Sequence, residues 1–287
     1  IFMKIYISVD MEGLAGITEF AQEREDVARF RKAMNDQVKW VIEGIQSSEK
    51  NDKIEKITIA DSHGKGTNLS WDELTELDDR VYLISGTPRP QYMMPEFNSD
   101  YDMVFFVGYH AGIGALGANM DHTYSLTSIH NFWINGKPMN ESTINAAYAS
   151  YFGVPVTLVI GDSGLKKQLQ DEEMMPWVNY VCTKESISRF SAVFKPKNIL
   201  RKETMETVAK TIDEFLEEDE PLYIIESPYK LRLEFNYGSQ MEIASTIPNA
   251  KQIDSRTLEL EFDDYKALFD GIMSVCYSSK KSFPFDK

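Results

Sequence analysis

Four histidines are the whole imidazole supply of this 287-residue chain: His63, His110, His122 and His130. Two of them fall just after short apolar runs, in the company of acidic residues. Asp10 and Glu12 follow the run Lys4–Val9 two positions apart, so on an extended segment both side chains project to the same side. Gly13 comes next, where a residue without Cβ lets the chain turn away. Asp61 and His63 repeat the two-residue spacing after Ile54–Ala60, and His110 follows Met103–Val107. A lone carboxylate in such a place is usually a helix N-cap, and a lone histidine a core or surface residue. Three such strand ends in one half-chain point instead to coordination of zinc or a similar borderline metal. Three carboxylates, Asp10, Glu12 and Glu141, set against two divalent ions leave a single positive charge, which a bridging hydroxide would neutralise. Without metal they would repel one another and raise some of their own pKa values.

The runs that carry these residues are apolar on both faces, as strands of a buried, largely parallel sheet are. Open parallel sheets place their sites at the carboxyl ends of the strands. A fourth run, Val154–Ile160, ends in Gly161-Asp162, where Asp162 could bind a substrate amine but is rather expected to N-cap the next helix. Helical patterning over Glu23–Ser47 joins the first two strands as a βαβ unit, and a second helix is predicted over Glu141–Phe152. The uncharged stretch Ser142–Gly161 is long enough to suggest a membrane span. It contains Asn145, Tyr148, Ser150, Tyr151, Gly153 and Pro155, and reads as helix, turn and buried strand.

Later residues differ in texture. Met205, Val208, Ala209, Ile212, Phe215 and Leu216 keep helical spacing up to the acidic run Glu217–Glu220, a solvated face. Leu222–Ile225, Leu231–Phe235 and Thr257–Phe262 read as strands, the last leading into a helix from Asp263. The expected fold class is α/β, a largely parallel central sheet flanked by helices, with an α+β C-terminal portion. Residues 3–192 form the metal-site portion and 193–287 the remainder, one continuous domain without a Pro- or Ser-rich linker.

Composition narrows the function. With 43% apolar residues the chain can build a core, and its net charge of −15 and pI near 4.8 argue against nucleic acid as a partner. Cys182 and Cys276 form no CxxC pattern and suggest a reduced compartment. The N-terminus lacks the charged start and apolar stretch of a signal peptide. Met3 reads as the natural start, with Ile1 and Phe2 added ahead of it, and the protein is expected in the cytoplasm with no membrane partner.

Ser8-Val9-Asp10-Met11-Glu12-Gly13, Asp61-Ser62-His63, Gly108-Tyr109-His110-Ala111, Met120-Asp121-His122 and Glu141 within Asn140–Ala146 resemble the zinc-dependent D-aminopeptidase family. Order and separations match from Met3 to about Ala192, and more weakly to the end. The resemblance implies two divalent ions, zinc, held by Asp10, Glu12, His63, His110 and Glu141, with Asp10 bridging. It implies that His122 is catalytic rather than a ligand and that subunits assemble into a ring-like homodecamer. The implied substrates are short peptides or aminoacyl amides with a free N-terminus, with a preference for D-residues. Lys184, Ile187-Ser188-Arg189 and Ser191-Ala192 also follow the family pattern, without an assigned part.

The chain departs from that pattern in two places. Ala111–Asp121 is glycine-rich and one residue longer than usual, and is expected to border the pocket. Asn140 and Thr143 stand where the family has glycines, so their side chains are expected to reshape it. Asp61 and His130 are expected to support the structure, and Tyr124, Phe132 and Trp133 to pack in the core. Two rival readings are a two-metal phosphoesterase and a metal-stabilised peptide-binding or assembly protein. The missing Gly-rich phosphate loop and the few Lys or Arg near the motifs count against the first. His122, which metal binding does not require, counts against the second.

Overall fold

Period-two packing organises the central sheet. In β1 (Met3–Val9), Ile5, Ile7 and Val9 enter one core cluster and Tyr6 the other. In β4 (Met103–Tyr109), Met103, Phe105 and Val107 divide in the same way from Val104 and Phe106. Each such fully buried side chain contributes roughly 1.5–3 kcal/mol relative to exposure. The protein is represented by a computed structural model that describes residues 2–215 and 219–279.

The remaining strands are β2 (Ile54–Asp61), β3 (Val81–Ile84), β5 (Ile129–Ile134), β6 (Lys137–Pro138), β7 (Val156–Gly161), β8 (Asn179–Cys182), β9 (Lys184–Ser188), β10 (Ser191–Phe194), β11 (Tyr229–Phe235), β12 (Lys251–Gln252) and β13 (Thr257–Phe262). The helices are α1 (Gln22–Glu25), α2 (Val27–Ser47), α3 (Trp71–Thr75), α4 (Glu141–Tyr151), α5 (Ser163–Leu169), α6 (Lys197–Glu214), α7 (Gly238–Ala244) and α8 (Tyr265–Ser279). Six strands form an all-parallel sheet in the order β3-β2-β1-β4-β7-β8. Residues of α2 and α6 pack in one core cluster against it, and residues of α4 and α8 in the other. A second, antiparallel sheet runs β12-β13-β11-β5-β6, and β9 and β10 make a separate ribbon. The α/β class with helices flanking a parallel sheet is the one expected.

Details differ from expectation. The helix foreseen over Glu23–Ser47 is broken at Asp26, whose φ of −136° and ψ of 59° leave the helical region. Leu222–Ile225 is no strand: Tyr223 is buried and its N–H donates to Ser150 Oγ at 3.0 Å, so the segment runs past the end of α4 without joining a ladder. Leu216 and the start of the run Glu217–Glu220 lie outside the described residues. Ser142–Gly161 resolves into α4, a turn and β7, and no helix among the described residues is long and apolar enough to cross a membrane.

Candidate metal centre

Because β1 lies between β2 and β4, the three strand-end motifs meet at one edge. The end of β1 is laced to β4, with Asp10 N–H donating to the Val107 carbonyl at 2.8 Å and Gly13 N–H to Gly108 at 2.7 Å. A Cβ on Gly13 would stand 1.8 Å from the Tyr109 carbonyl oxygen, and one on Gly108 2.1 Å from that of Asp10. Gly13 thus serves a close crossing of strand ends rather than only a turn.

Asp10 faces two ways. Its Oδ1 is 3.1 Å from His63 Nδ1 and its Oδ2 is 3.5 Å from His110 Nε2. Glu12 Oε2 approaches His63 Nδ1 to 3.4 Å, and Glu141 Oε2 approaches His110 Nε2 to 3.4 Å. Ligand atoms of Asp10, Glu12 and His63 lie within 4.8 Å of one another, as do those of Asp10, His110 and Glu141 and those of Glu12, His110 and His122. Glu12 Oε2, His110 Nε2 and Glu141 Oε2 are buried without a hydrogen-bond partner. Buried atoms left so cost about 1–3 kcal/mol each. Divalent cations held by the Asp10–Glu12–His63 and Asp10–His110–Glu141 groups would satisfy all three atoms, and the mixture of imidazole and carboxylate suits zinc or a similar ion.

The imidazoles are oriented from outside the cluster. His110 Nδ1 lies 2.9 Å from the Ala111 carbonyl and His122 Nδ1 2.9 Å from that of Met120, which assigns the proton to Nδ1 and turns each Nε2 lone pair inward. His63 is reversed, with Nδ1 inward and Nε2 2.9 Å from Glu23 Oε2. Glu141 opens α4 and accepts the Tyr124 N–H at 2.6 Å.

Electrostatics follow from this crowding. Burial, then the neighbouring Glu12, push Asp10 up to about 8 against the pull of His63. Burial works against a charged His110, but Glu141 and the other carboxylates carry it up to about 10. His63 is likewise raised well above its ordinary value, burial being outweighed by Glu12, Asp10 and Glu23. His122 goes the other way, lowered by burial and by His110.

A buried lysine secures the backbone. Lys184 Nζ donates to the carbonyls of Glu12 and Ile17, each at 2.6 Å, and to Asn119 Oδ1 at 2.7 Å, satisfying its three donors. The adjacent Thr183 hydroxyl donates to the Gly13 carbonyl. Asp61 accepts the N–H groups of Asn68 and Leu69 at 2.6 and 2.9 Å and shapes the loop behind His63. Asp162 N-caps α5, accepting Leu165 N–H at 2.7 Å. Tyr124 and Phe132 are buried, Trp133 is half-buried and His130 is exposed on β5.

Above the cluster is a cavity of about 270 Å³, walled by Phe20, Glu23, Gly64, Tyr92, Met93 and Ser125–Thr127 with His122. Two expectations fail here. No residue of Ala111–Asp121 lines the cavity; the loop is held instead through Gly112 N–H to Gln168 and Asp121 to Arg189. Asn140 and Thr143 do not line it either, because their side chains form the capping box of α4. Two residues were missed for their roles: Glu23, because nothing local pairs it with His63, and Lys184, because nothing in the sequence marks a lysine as buried.

A model of the D-aminopeptidase family matches residues 3–274. A D-aminopeptidase from Bacillus subtilis (strain 168) is 32% identical over 266 residues, 91% of either chain. Among solved structures, the Zn-dependent D-aminopeptidase DppA from Bacillus subtilis, a self-compartmentalizing protease, has a TM-score of 0.88 at 24% identity, over 98% of this chain and 99% of its own.

Proposed function

The chain belongs to the D-aminopeptidase family, and we propose that it is a two-metal aminopeptidase releasing the first residue, D-configured by preference, from short peptides or aminoacyl amides. The observation that carries this reading is the buried Asp10 carboxylate, whose two oxygens face His63 and His110 and which belongs to both ligand groups. Asp10, Glu12 and His63 would hold one divalent ion and Asp10, His110 and Glu141 the other, zinc by analogy with the solved relative. When bound, such a pair supplies Lewis-acid polarisation of the scissile carbonyl and a lowered pKa for water. His122 stays neutral with Nδ1–H on the Met120 carbonyl, so Nε2 is free to take a proton and pass it to the leaving amine. Among the described residues no Lys or Arg lines the cavity, which disfavours a phosphoester substrate.

Assembly as a homo-oligomer, a decamer, is part of the proposal, in keeping with the relative described as self-compartmentalizing. An apolar set on and beside the ribbon, exposing Ile187, Phe190, Val193 and Phe194, supports it. A chain with only two cysteines, Cys182 and Cys276, in no CxxC pattern favours a cytoplasmic setting. The test is to load the protein with zinc, count bound metal and assay matched D- and L-aminoacyl amides beside their N-acetyl forms. Bound metal at two equivalents with cleavage of only the free-amine forms is expected. Equal cleavage of the N-acetylated forms would defeat the aminopeptidase assignment.

A further inference from the structure

With Asp10, Glu12, His63 and Glu141 as ligands and His122 as proton carrier, one charged side chain lining the cavity has no assigned part: Glu23. It sits on α1 at the mouth, its side chain 31% exposed. Its Oε2 accepts from His63 Nε2 at 2.9 Å, and its Oε1 is 3.7 Å from Arg24 Nη1, an exposed guanidinium outside the cavity lining. A His63 ligating through Nδ1 is neutral, so the contact from Nε2–H orients Glu23 without cancelling its charge. Two divalent ions held by three carboxylates and a hydroxide would leave the centre without net negative charge to attract an ammonium. Glu23 is the anion of the cavity that can be set against it, with lone pairs to spare for N⁺–H donors.

We infer that Glu23 binds the α-ammonium of the substrate and thereby imposes the requirement for a free N-terminus. The inference rests on the aminopeptidase reading above. Phe20, Tyr92 and Leu126 wall the same cavity and offer apolar surface to the first side chain.

The test uses a non-hydrolysable ketomethylene dipeptide isostere and its des-amino analogue, titrated calorimetrically into zinc-loaded wild type, Glu23→Gln and Glu23→Asp. A glutamine oxygen still accepts from His63 Nε2, so Glu23→Gln removes the charge while sparing the orientation of the ring. Wild type should prefer the amino ligand on the order of 10–100-fold, the worth of a charge-assisted hydrogen bond. Glu23→Gln should lose that preference with metal content and des-amino affinity unchanged, and Glu23→Asp should regain part of it. In turnover the loss should fall on KM rather than kcat. If Glu23→Gln loses metal, or weakens both ligands equally, Glu23 only orients His63 and the inference fails. A preference shown by wild type and lost in Glu23→Gln, in a protein that cleaves no aminoacyl amide, overturns the aminopeptidase reading and keeps the Glu23 contact. Wild type that cleaves amides without the preference does the reverse.

Discussion

The imidazoles of His110 and His122 lie stacked, 4.3 Å between ring centroids and 11° from parallel. Their surroundings split the pair. Glu141 lifts His110 to about 10, whereas burial and the charge on His110 depress His122. Adjacent rings therefore suit different work, one drawn into the carboxylate cluster and one left neutral.

His122→Ala should keep both metals and lose turnover. Removing a positioned acid-base group costs about 10²–10⁴-fold in rate, seen in kcat. His110→Ala should lose metal and activity together. Elemental analysis beside steady-state kinetics separates the two. Because His122 Nε2 is 3.8 Å from both Glu12 Oε1 and Glu141 Oε1, metal loss in His122→Ala would make it a ligand instead.

Asp10→Ala should abolish both metal equivalents, since both ligand groups draw on its carboxylate. Glu141→Ala should weaken mainly the ion shared with His110. Metal counts after equilibrium dialysis report this directly, and equal losses from the two variants would argue against Asp10 as a bridge.

Metal loading should release protons at pH 7. Ligands bind deprotonated, and without metal Asp10 at about 8 and His110 at about 10 still hold theirs. Affinity should rise with pH through that range. Both folded-state values exceed the unfolded ones, so the stability these groups lend the metal-free protein is present at low pH. It is lost for Asp10 as pH climbs through about 8, and for His110 through about 10. Calorimetry in buffers of different ionisation enthalpy measures the protons; none released would contradict the assignment.

Lys184→Met should destabilise the fold and loosen the Glu12 segment. It orphans three buried acceptors at roughly 1–3 kcal/mol each. Part is recovered because burial already penalises the ammonium, lowering its pKa to about 8. A net loss of roughly 2–4 kcal/mol in denaturant unfolding, with weaker metal binding, is expected. An unchanged midpoint would mean that the clasp is energetically idle.

The parallel sheet was legible because runs apolar on both faces are rare outside buried strands. The meeting of Asp10, His63 and His110 was legible because each follows such a run. Pairing of β5 with β11 was not, since Phe132 opposite Leu233 joins residues far apart in the chain with no local mark of partnership. Leu222–Ile225 has the composition of a strand but lacks a neighbour to bond. Asp26 interrupts a helical periodicity that continues on both sides of it. Asn140 and Thr143 read as additions to a pocket, whereas their side chains are spent on unsatisfied N–H groups at the start of α4.

Between His122 and Glu141 the chain leaves the central sheet, lays β5 beside β11 with β6 on the outer side of β5, and returns to begin α4. A recombination crossover near residue 193 would therefore divide a five-stranded sheet between two parents. Ile129, Phe132 and Ile134 of one would have to fit Leu231 and Leu233 of the other, while Tyr124 and Glu141 stand at the feet of the mismatch. Gene shuffling among relatives should tolerate a joint in the exposed turn after β13, at Asp263 and Asp264, far better than one that parts residues 129–138 from 229–262. For chimeras, the inheritable unit is a pair of segments distant in the gene.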